Sequence, residues 1–251
     1  MTRPAVEAVL LDVGGVVLLP EHASVLARLA RAGVHVHPDR LDRAHYEALA
    51  VVERHAAADP TSPPLVEDPP DSAMRTGLSY ATSYLRAIGV SEDRIHAAAA
   101  ELFRPDQGFR VGWLQVRDGA MDELRALATT GVRLAIVSNA DGTIEQELRA
   151  LGVCQAGPGP GVPVTAVLDS TVVRVAKPDP RIFELALAAV GTPPARTVHV
   201  GDTLTYDVAG ARAAGIHPVH YDPFRLCGGD GHDDVASLVE LVPLLGRGQD
   251  A

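Results

Sequence analysis

The sequence predicts an α/β protein: a doubly wound, Rossmann-like parallel sheet core with an inserted all-helical module. Three observations predict it. Short apolar runs stop abruptly at polar residues: Val9-Leu10-Leu11 before Asp12, residues 132–137 before Ser138, and residues 197–200 before Gly201-Asp202. Such runs, bounded by turn residues, are strands buried on both faces, as in a parallel sheet. From Gly119 onward, strands alternate with helix-length segments, the βα pattern of a sheet covered on both sides. Between residues 20 and 108 no strand pattern occurs.

The first strand runs into Asp12-Val13-Gly14-Gly15. Asp12 then falls at the carboxyl end of a parallel strand, where open α/β sheets bind their ligands. The glycines let the backbone turn sharply there. The amphipathic stretch 22–31 follows, ended by Gly33. Residues 39–58 read as a second helix, with Asp39 after Pro38 as its N-cap. The density of proline in Asp59-Pro60-Thr61-Ser62-Pro63-Pro64, continuing to Asp71, predicts a long loop over 59–70. Helices are expected over 72–88 and 92–103, the latter capped by Ser91. In the second half, helices are predicted over 119–129, 143–151, 180–190, 205–214 and 233–245. Strands are predicted over 132–137, 164–168, 197–200 and 217–221, with a Gly/Pro-rich loop over 154–163. This divides the chain into a core of residues 1–19 and 109–251 and a helical insertion of residues 20–108.

Composition narrows the function. A formal net charge of −10 argues against a nucleic-acid or anionic-membrane surface, which demands clustered Lys and Arg. It leaves room for a small phosphorylated ligand held by a few local cations. Two cysteines, Cys154 and Cys227, are too few for a disulfide framework. With no signal-peptide pattern and no long apolar run, a cytoplasmic protein is expected. Of the 22 Lys plus Arg residues, only Lys177 is lysine. A sequence that otherwise uses arginine has kept one compact ammonium, which a guanidinium cannot replace in a tight site.

Polar residues gather at the strand ends. Asp12, Ser138, Lys177 and Asp202 lie at the carboxyl ends or on segments entering them, with Asp207 five residues beyond Asp202. Singly, each has an ordinary structural role: Ser138 as a helix cap, Asp202 as a turn residue, Asp207 as a first-turn acid. Together they make three carboxylates, one ammonium and one hydroxyl in one crevice. Carboxylates that close repel unless a divalent cation sits among them, and hard oxygen ligands suit Mg²⁺.

Asp12-Val13-Gly14-Gly15-Val16, Ser138-Asn139, Lys177-Pro178-Asp179-Pro180 and Gly201-Asp202-Thr203-Leu204-Thr205-Tyr206-Asp207 resemble the four motifs of the haloacid dehalogenase-like (HAD) hydrolase superfamily. The helical insertion resembles that family's type 1 cap. The resemblance implies a Mg²⁺-dependent phosphatase acting on a small phosphorylated metabolite. Asp12 would be the nucleophile, Ser138 and Lys177 its catalytic partners, and Asn139 and Gly15 would contact substrate. Asp12, Gly14 (through its carbonyl), Asp202 and Asp207 would hold the metal. No nucleic-acid or membrane partner is expected, and the chain would be a monomer or homodimer.

The departure is Gly14, where most phosphatases of the family carry a second Asp that serves as general acid and base. Losing such a group costs about 10²–10⁴-fold in rate. That is bearable for a good leaving group, such as a sugar-1-phosphate or an acyl phosphate, or it can be made up elsewhere, with Glu21 and His22 as candidates. The alternatives are a catalytically weak relative that binds a phosphorylated ligand or a protein, and a HAD-type dehalogenase. Phosphonate cleavage is disfavoured, because such enzymes use a cap lysine and this cap has none. The histidines at 35, 37, 45, 55 and 96 need no function. His199 reads as a core residue and Trp113 as packing. His217, His220 and His232 share no ligand-like spacing with a cysteine or acid, so no zinc site is expected.

Overall fold

The apolar run Ala8–Leu11 forms β1, with every side chain buried. The computed structural model describes residues 5–58, 79–102, 112–228 and 231–245. These residues fold as two units, one of residues 1–18 and 116–251 and one of residues 19–115. The chain leaves the first unit within the short strand β2 (Leu18–Leu19) and returns within β3 (Gln115–Val116). The predicted boundary at 108/109 and the Pro-rich loop at 59–70 lie outside the described residues. Among the described residues, no helix is long and apolar enough to cross a membrane.

The second unit is helical. Helices α1 (His22–Arg31), α2 (Leu41–Ala58), α3 (Tyr80–Ala87) and α4 (Glu92–Leu102) bury Val25, Leu29, Leu41, Leu85 and Ile95 in one core. Ser79 starts α3 with a capping box, its hydroxyl accepting from Thr82 N–H while Thr82 Oγ1 accepts from Ser79 N–H. Asp39 does not cap α2. His37 caps a 3₁₀ turn, Pro38–Arg40, that leads into it, because Pro38 presets a tight first turn. His45 is buried rather than on the surface, bonded to Tyr80 Oη at 2.8 Å and packed edge-on against Trp113.

The first unit is the expected parallel α/β layer structure, with one strand more than the sequence suggests. Its strands are β1, β4 (Arg133–Ser138), β7 (Ala166–Asp169), β8 (Thr197–Gly201), β9 (His217–Tyr221) and β10 (Asp233–Val235), all parallel, in the order β10-β9-β8-β1-β4-β7. Leu11 stands opposite both Ile136 and Val200. The chain winds outward from β1 in one direction through β4 and β7, and in the other through β8, β9 and β10. The order therefore reverses at β1, the switch point where such sheets bind ligands. On one face, Leu10, Ala135 and Val137 pack with Ile182, Phe183 and Ala186 of the helix Pro180–Val190.

Two predictions fail here. Residues 233–245 are not one helix: Asp233–Val235 pairs with β9, and only Leu238–Leu245 coils, as a 3₁₀ segment that contains Pro243. Proline removes an N–H and cannot sit comfortably inside an α-helix. The Gly/Pro-rich stretch 154–163 is not all loop, since β5 (Cys154–Ala156) and β6 (Val162–Val164) pair in parallel. Gly161 permits this, because a Cβ there would lie 2.6 Å from the backbone of Val153.

Candidate active site

Asp12 follows β1 directly and is buried, its N–H donating to Val200 O at 2.9 Å. The chain then reverses: Gly15 takes φ +68°, and its N–H donates to Leu18 O at 2.8 Å. Only glycine holds that backbone without strain. The Gly15 N–H is engaged in the turn itself. Gly14 bridges to Leu18 in the same turn and presents no side chain.

Ser138 ends β4, the neighbour of β1, and is buried. The loop after it is tied to the end of β7. Asp169 accepts from Gly142 N–H at 2.8 Å, Ser170 Oγ accepts from Ala140 N–H at 3.0 Å, and Thr171 Oγ1 donates to Ala140 O at 2.6 Å. Asn139 reaches across to the lysine segment. Its Oδ1 accepts from Lys177 N–H at 2.8 Å, and its Nδ2 donates to Lys177 O at 3.0 Å. Asp179 then caps the helix Pro180–Val190 with Pro180 at its first position, the favoured start.

The ammonium so positioned lies between two acids, 2.8 Å from Asp12 Oδ1 and 2.6 Å from Asp207 Oδ1. Asp207 sits on a single π-helical turn, Leu204–Val208, rather than in the regular helix expected over 205–214. The π turn folds its carboxylate back over the end of β8. There Oδ1 also meets His199 Nε2 at 2.9 Å, and Oδ2 accepts from Thr203 Oγ1 at 2.5 Å and from Thr203 N–H at 3.2 Å. Gly201 makes room, since a Cβ there would stand 2.1 Å from Asp207 Cγ. His199 is wholly buried, edge-on to Phe183, and its Nδ1 has no hydrogen-bond partner.

The oxygens of Asp12, Asp202 and Asp207 lie within 4.8 Å of one another, all buried. Burial pushes the Asp12 carboxyl up to about 6, with Asp207 and Asp202 adding to the rise and Lys177 opposing it. Burial and the Asp207 charge push Asp202 up to about 8, against the pull of Lys177 and His220. Asp207 goes the other way. Burial would raise it, but Lys177 and His199 together hold it well below the usual carboxylate range. Burial likewise opposes charge on Lys177, and Asp12 and Asp207 overcome it, raising its pKa. Three carboxylates facing one ammonium leave the cluster short of positive charge. Hard oxygen donors with that deficit fit a divalent cation of the Mg²⁺ kind.

Asp12, Lys177, Asp202 and Asp207 thus meet, and Ser138 and Asn139 stand on the adjoining strand end. His199, Thr203 and the side chain of Asn139 were not legible as site residues. Their only signal was position: His199 points to the face of β8 from which Asp207 returns. Glu21 and His22 both have partners within the helical unit, Glu21 accepting from Ser24 Oγ and His22 paired with Asp42 at 2.5 Å.

A sequence profile of haloacid dehalogenase-like hydrolases matches residues 6–215, well over half the chain. The chain belongs to this family. The human haloacid dehalogenase-like hydrolase domain-containing protein 3 is 36% identical over 163 residues, 62% of each chain. A phosphoserine phosphatase from Thermus thermophilus is 37% identical over 92 residues, covering 37% of this chain and 34% of the relative. The matched stretch thus spans less than two thirds of these relatives' own length. Among solved structures, the HAD-hydrolase YfnB of Bacillus subtilis, determined bound to magnesium, aligns with 97% of this chain and 100% of its own at a TM-score of 0.60 and 19% identity. At that identity the likeness is one of fold: the HAD parallel sheet.

Proposed function

We propose that this HAD hydrolase is a Mg²⁺-dependent phosphatase of a small phosphorylated metabolite, working through an aspartyl-phosphate on Asp12. The observation that carries the reading is the buried cluster of Asp12, Asp202 and Asp207 around Lys177. Relatives named as phosphatases support it, the phosphoserine phosphatase above and a ribulose-1,5-bisphosphate 5-phosphatase from Halopiger xanaduensis, 35% identical over 105 residues. Both thiols of the chain suit a reducing, cytoplasmic setting.

Asp12, the Gly14 carbonyl, Asp202 and Asp207 would hold the ion, which when bound offsets the negative charge that spreads over the phosphoryl group during transfer. The chain's own residues do the rest. An Asp12 oxygen forms the bond to phosphorus as the bond to the leaving oxygen breaks. Ser138 Oγ and the Asn139 N–H donate to the phosphoryl oxygens, and Lys177 neutralises both the nucleophile and the group in flight. Asp207, engaged by Lys177, His199 and Thr203, orients the ammonium. Water then breaks the acyl–phosphate bond and returns Asp12.

Gly14 shapes the substrate class. Without an acid at that position, the leaving oxygen departs as its anion, which favours acyl phosphates and sugar-1-phosphates over simple alkyl esters. The test is phosphate release from a panel of these substrates and an activated aryl phosphate, with wild type beside Asp12→Asn and Gly14→Asp. The reading expects release that requires Mg²⁺ and disappears in Asp12→Asn. Silence from wild type, with activity appearing in Gly14→Asp, would instead make the chain a ligand-binding relative. Halide release from a 2-haloacid without Mg²⁺ would make it a dehalogenase.

A further inference from the structure

A second cluster of ligand-type side chains lies at the far edge of the same sheet, outside the machinery described above. His220 is on β9, Cys227 and His232 are on the segment that leaves it, and Asp234 is on β10. One ligand atom from each of the four lies within 4.8 Å of the other three. His232 Nε2 is 3.6 Å from Cys227 Sγ and 3.1 Å from Asp234 Oδ1, and His220 Nδ1 is 3.0 Å from the same Asp234 oxygen. Around a tetrahedral ion with bonds of about 2.0–2.3 Å, the edges between ligands are about 3.3–3.6 Å. These three separations are within a few tenths of an ångström of that figure.

The orientation of His220 is the independent observation. Its Nε2 meets the main-chain oxygen of Asp202 at 3.2 Å. A carbonyl only accepts, so Nε2 carries the hydrogen, and Nδ1 is the ring nitrogen that faces Cys227, His232 and Asp234 and is left to ligate. Metal-bound histidines are held in this way, the outer N–H given to a carbonyl or carboxylate. The segment bearing the thiol is also anchored, because Cys227 N–H donates to Asp222 Oδ2 at 2.7 Å.

We propose that His220, Cys227, His232 and Asp234 bind one Zn²⁺ ion in a closed, four-ligand structural site. The donor set selects the metal. A thiolate and two imidazoles suit a borderline ion and are poor ligands for Mg²⁺, whereas the Asp12 cluster is all oxygen. With four protein ligands no position is left open for substrate. The ion ties Cys227 and His232 to β9 and β10 at the sheet edge, explaining why a three-residue strand with two aspartates can pair there. It also fixes the His220 ring against the peptide of Asp202. Linear spacing hid the site, because the sheet rather than a short motif assembles it. The site stands whether or not the phosphatase reading holds.

The test uses the full chain, stripped with chelator and titrated with Co²⁺ and then Zn²⁺ in excess Mg²⁺. One Co²⁺ per chain is expected, with a thiolate-to-cobalt charge-transfer band and the strong visible bands of tetrahedral cobalt, both bleached by stoichiometric Zn²⁺. Cys227→Ser should lose the charge-transfer band and bind Zn²⁺ at least 10-fold more weakly, while Asp12→Asn binds as wild type does. No stoichiometric Co²⁺ or Zn²⁺ in wild type, or unchanged binding by Cys227→Ser, overturns the proposal and leaves a hydrogen-bonded His–Asp–His cluster. If Cys227→Ser fails to fold, the wild-type cobalt spectrum decides alone, since only thiolate coordination gives that band.

Discussion

The side chain of Asn139 and the main chain of Lys177 hold each other in both directions, N–H to Oδ1 at 2.8 Å and Nδ2 to O at 3.0 Å. This fork fixes the one lysine of the chain to the end of β4, so the ammonium arrives between Asp12 and Asp207 already oriented. A primary amide is needed, because it alone offers a donor and an acceptor at that reach. Asn139→Asp would set a carboxylate against the Lys177 carbonyl. We expect Asn139→Asp to lower kcat by about 10–100-fold with a smaller change in KM, since positioning acts on the transition state. Phosphate-release kinetics would check this, and a wild-type kcat would remove the fork from the argument.

Lys177 is 4% exposed and makes 2.8 and 2.6 Å contacts to its two acids. A guanidinium is broader and cannot occupy that space without moving one carboxylate. Lys177→Arg therefore should abolish Mg²⁺-dependent phosphate release. Lys177→Met should in addition destabilise the fold by about 3–5 kcal/mol, because it leaves buried carboxylates uncompensated. Thermal unfolding alongside activity separates the two. An active Lys177→Arg would show that charge alone suffices.

How far the sequence leads depends on how local the signal is. Residues 8–12, 133–138 and 197–202 are legible because a strand buried on both faces needs an unbroken apolar run, and the polar residue that ends the run marks the ligand side of the sheet. Lys177 is legible by its isolation among arginines. The Asn139 side chain, His199 and Thr203 are not, because their partners come from other elements and no spacing encodes them. β10 is missed for a different reason. Asp233-Asp234-Val235 has little strand propensity of its own, and its pairing with β9 rests on tertiary context. The same context gathers the four residues of the second cluster.

Gly201 illustrates a backbone requirement that the motif alone does not explain. Its φ is ordinary, so the constraint is the space taken by Asp207, whose Cγ would lie 2.1 Å from an added Cβ. Gly201→Ala must push Asp207 off Lys177 and His199 or distort β8. The expected result is a Mg²⁺ requirement shifted at least 10-fold to higher concentration, with a lower Tm. A Mg²⁺ titration of activity reads it, and wild-type dependence would mean that the π turn relaxes freely.

His199 is a positioning residue, holding Asp207 Oδ1 through Nε2 at 2.9 Å. His199→Leu keeps much of the volume and removes the donor. Losing a hydrogen bond to a buried charge costs about 1.5–3 kcal/mol. Part of this is offset, because the substitution also removes Nδ1, a buried nitrogen without a partner. A net loss of about 1–2 kcal/mol in denaturant unfolding is expected, together with a Mg²⁺ requirement shifted to higher concentration. Unchanged values for both would assign Asp207 to Lys177 and Thr203 alone.

The two thiols should react very differently. Cys154 is 1% exposed on β5, and burial, aided by the charge of Glu145, pushes its thiol up to about 12. A raised thiol pKa leaves less thiolate at any given pH; at pH 8 the reactive fraction is about 10⁻⁴. Cys227 is only half-buried. In chelator-treated native protein, iodoacetamide at pH 8 should therefore label Cys227 and spare Cys154 until the chain is unfolded. Adding Zn²⁺ should then protect Cys227 while leaving Cys154 as it was, because only Cys227 belongs to the His220–His232–Asp234 cluster. Peptide mass spectrometry distinguishes the two sites. Labelling of Cys154 in the native state at the Cys227 rate would mean that the β5–β6 pair opens readily. Protection of neither thiol by Zn²⁺ would argue against a thiolate ligand at the sheet edge.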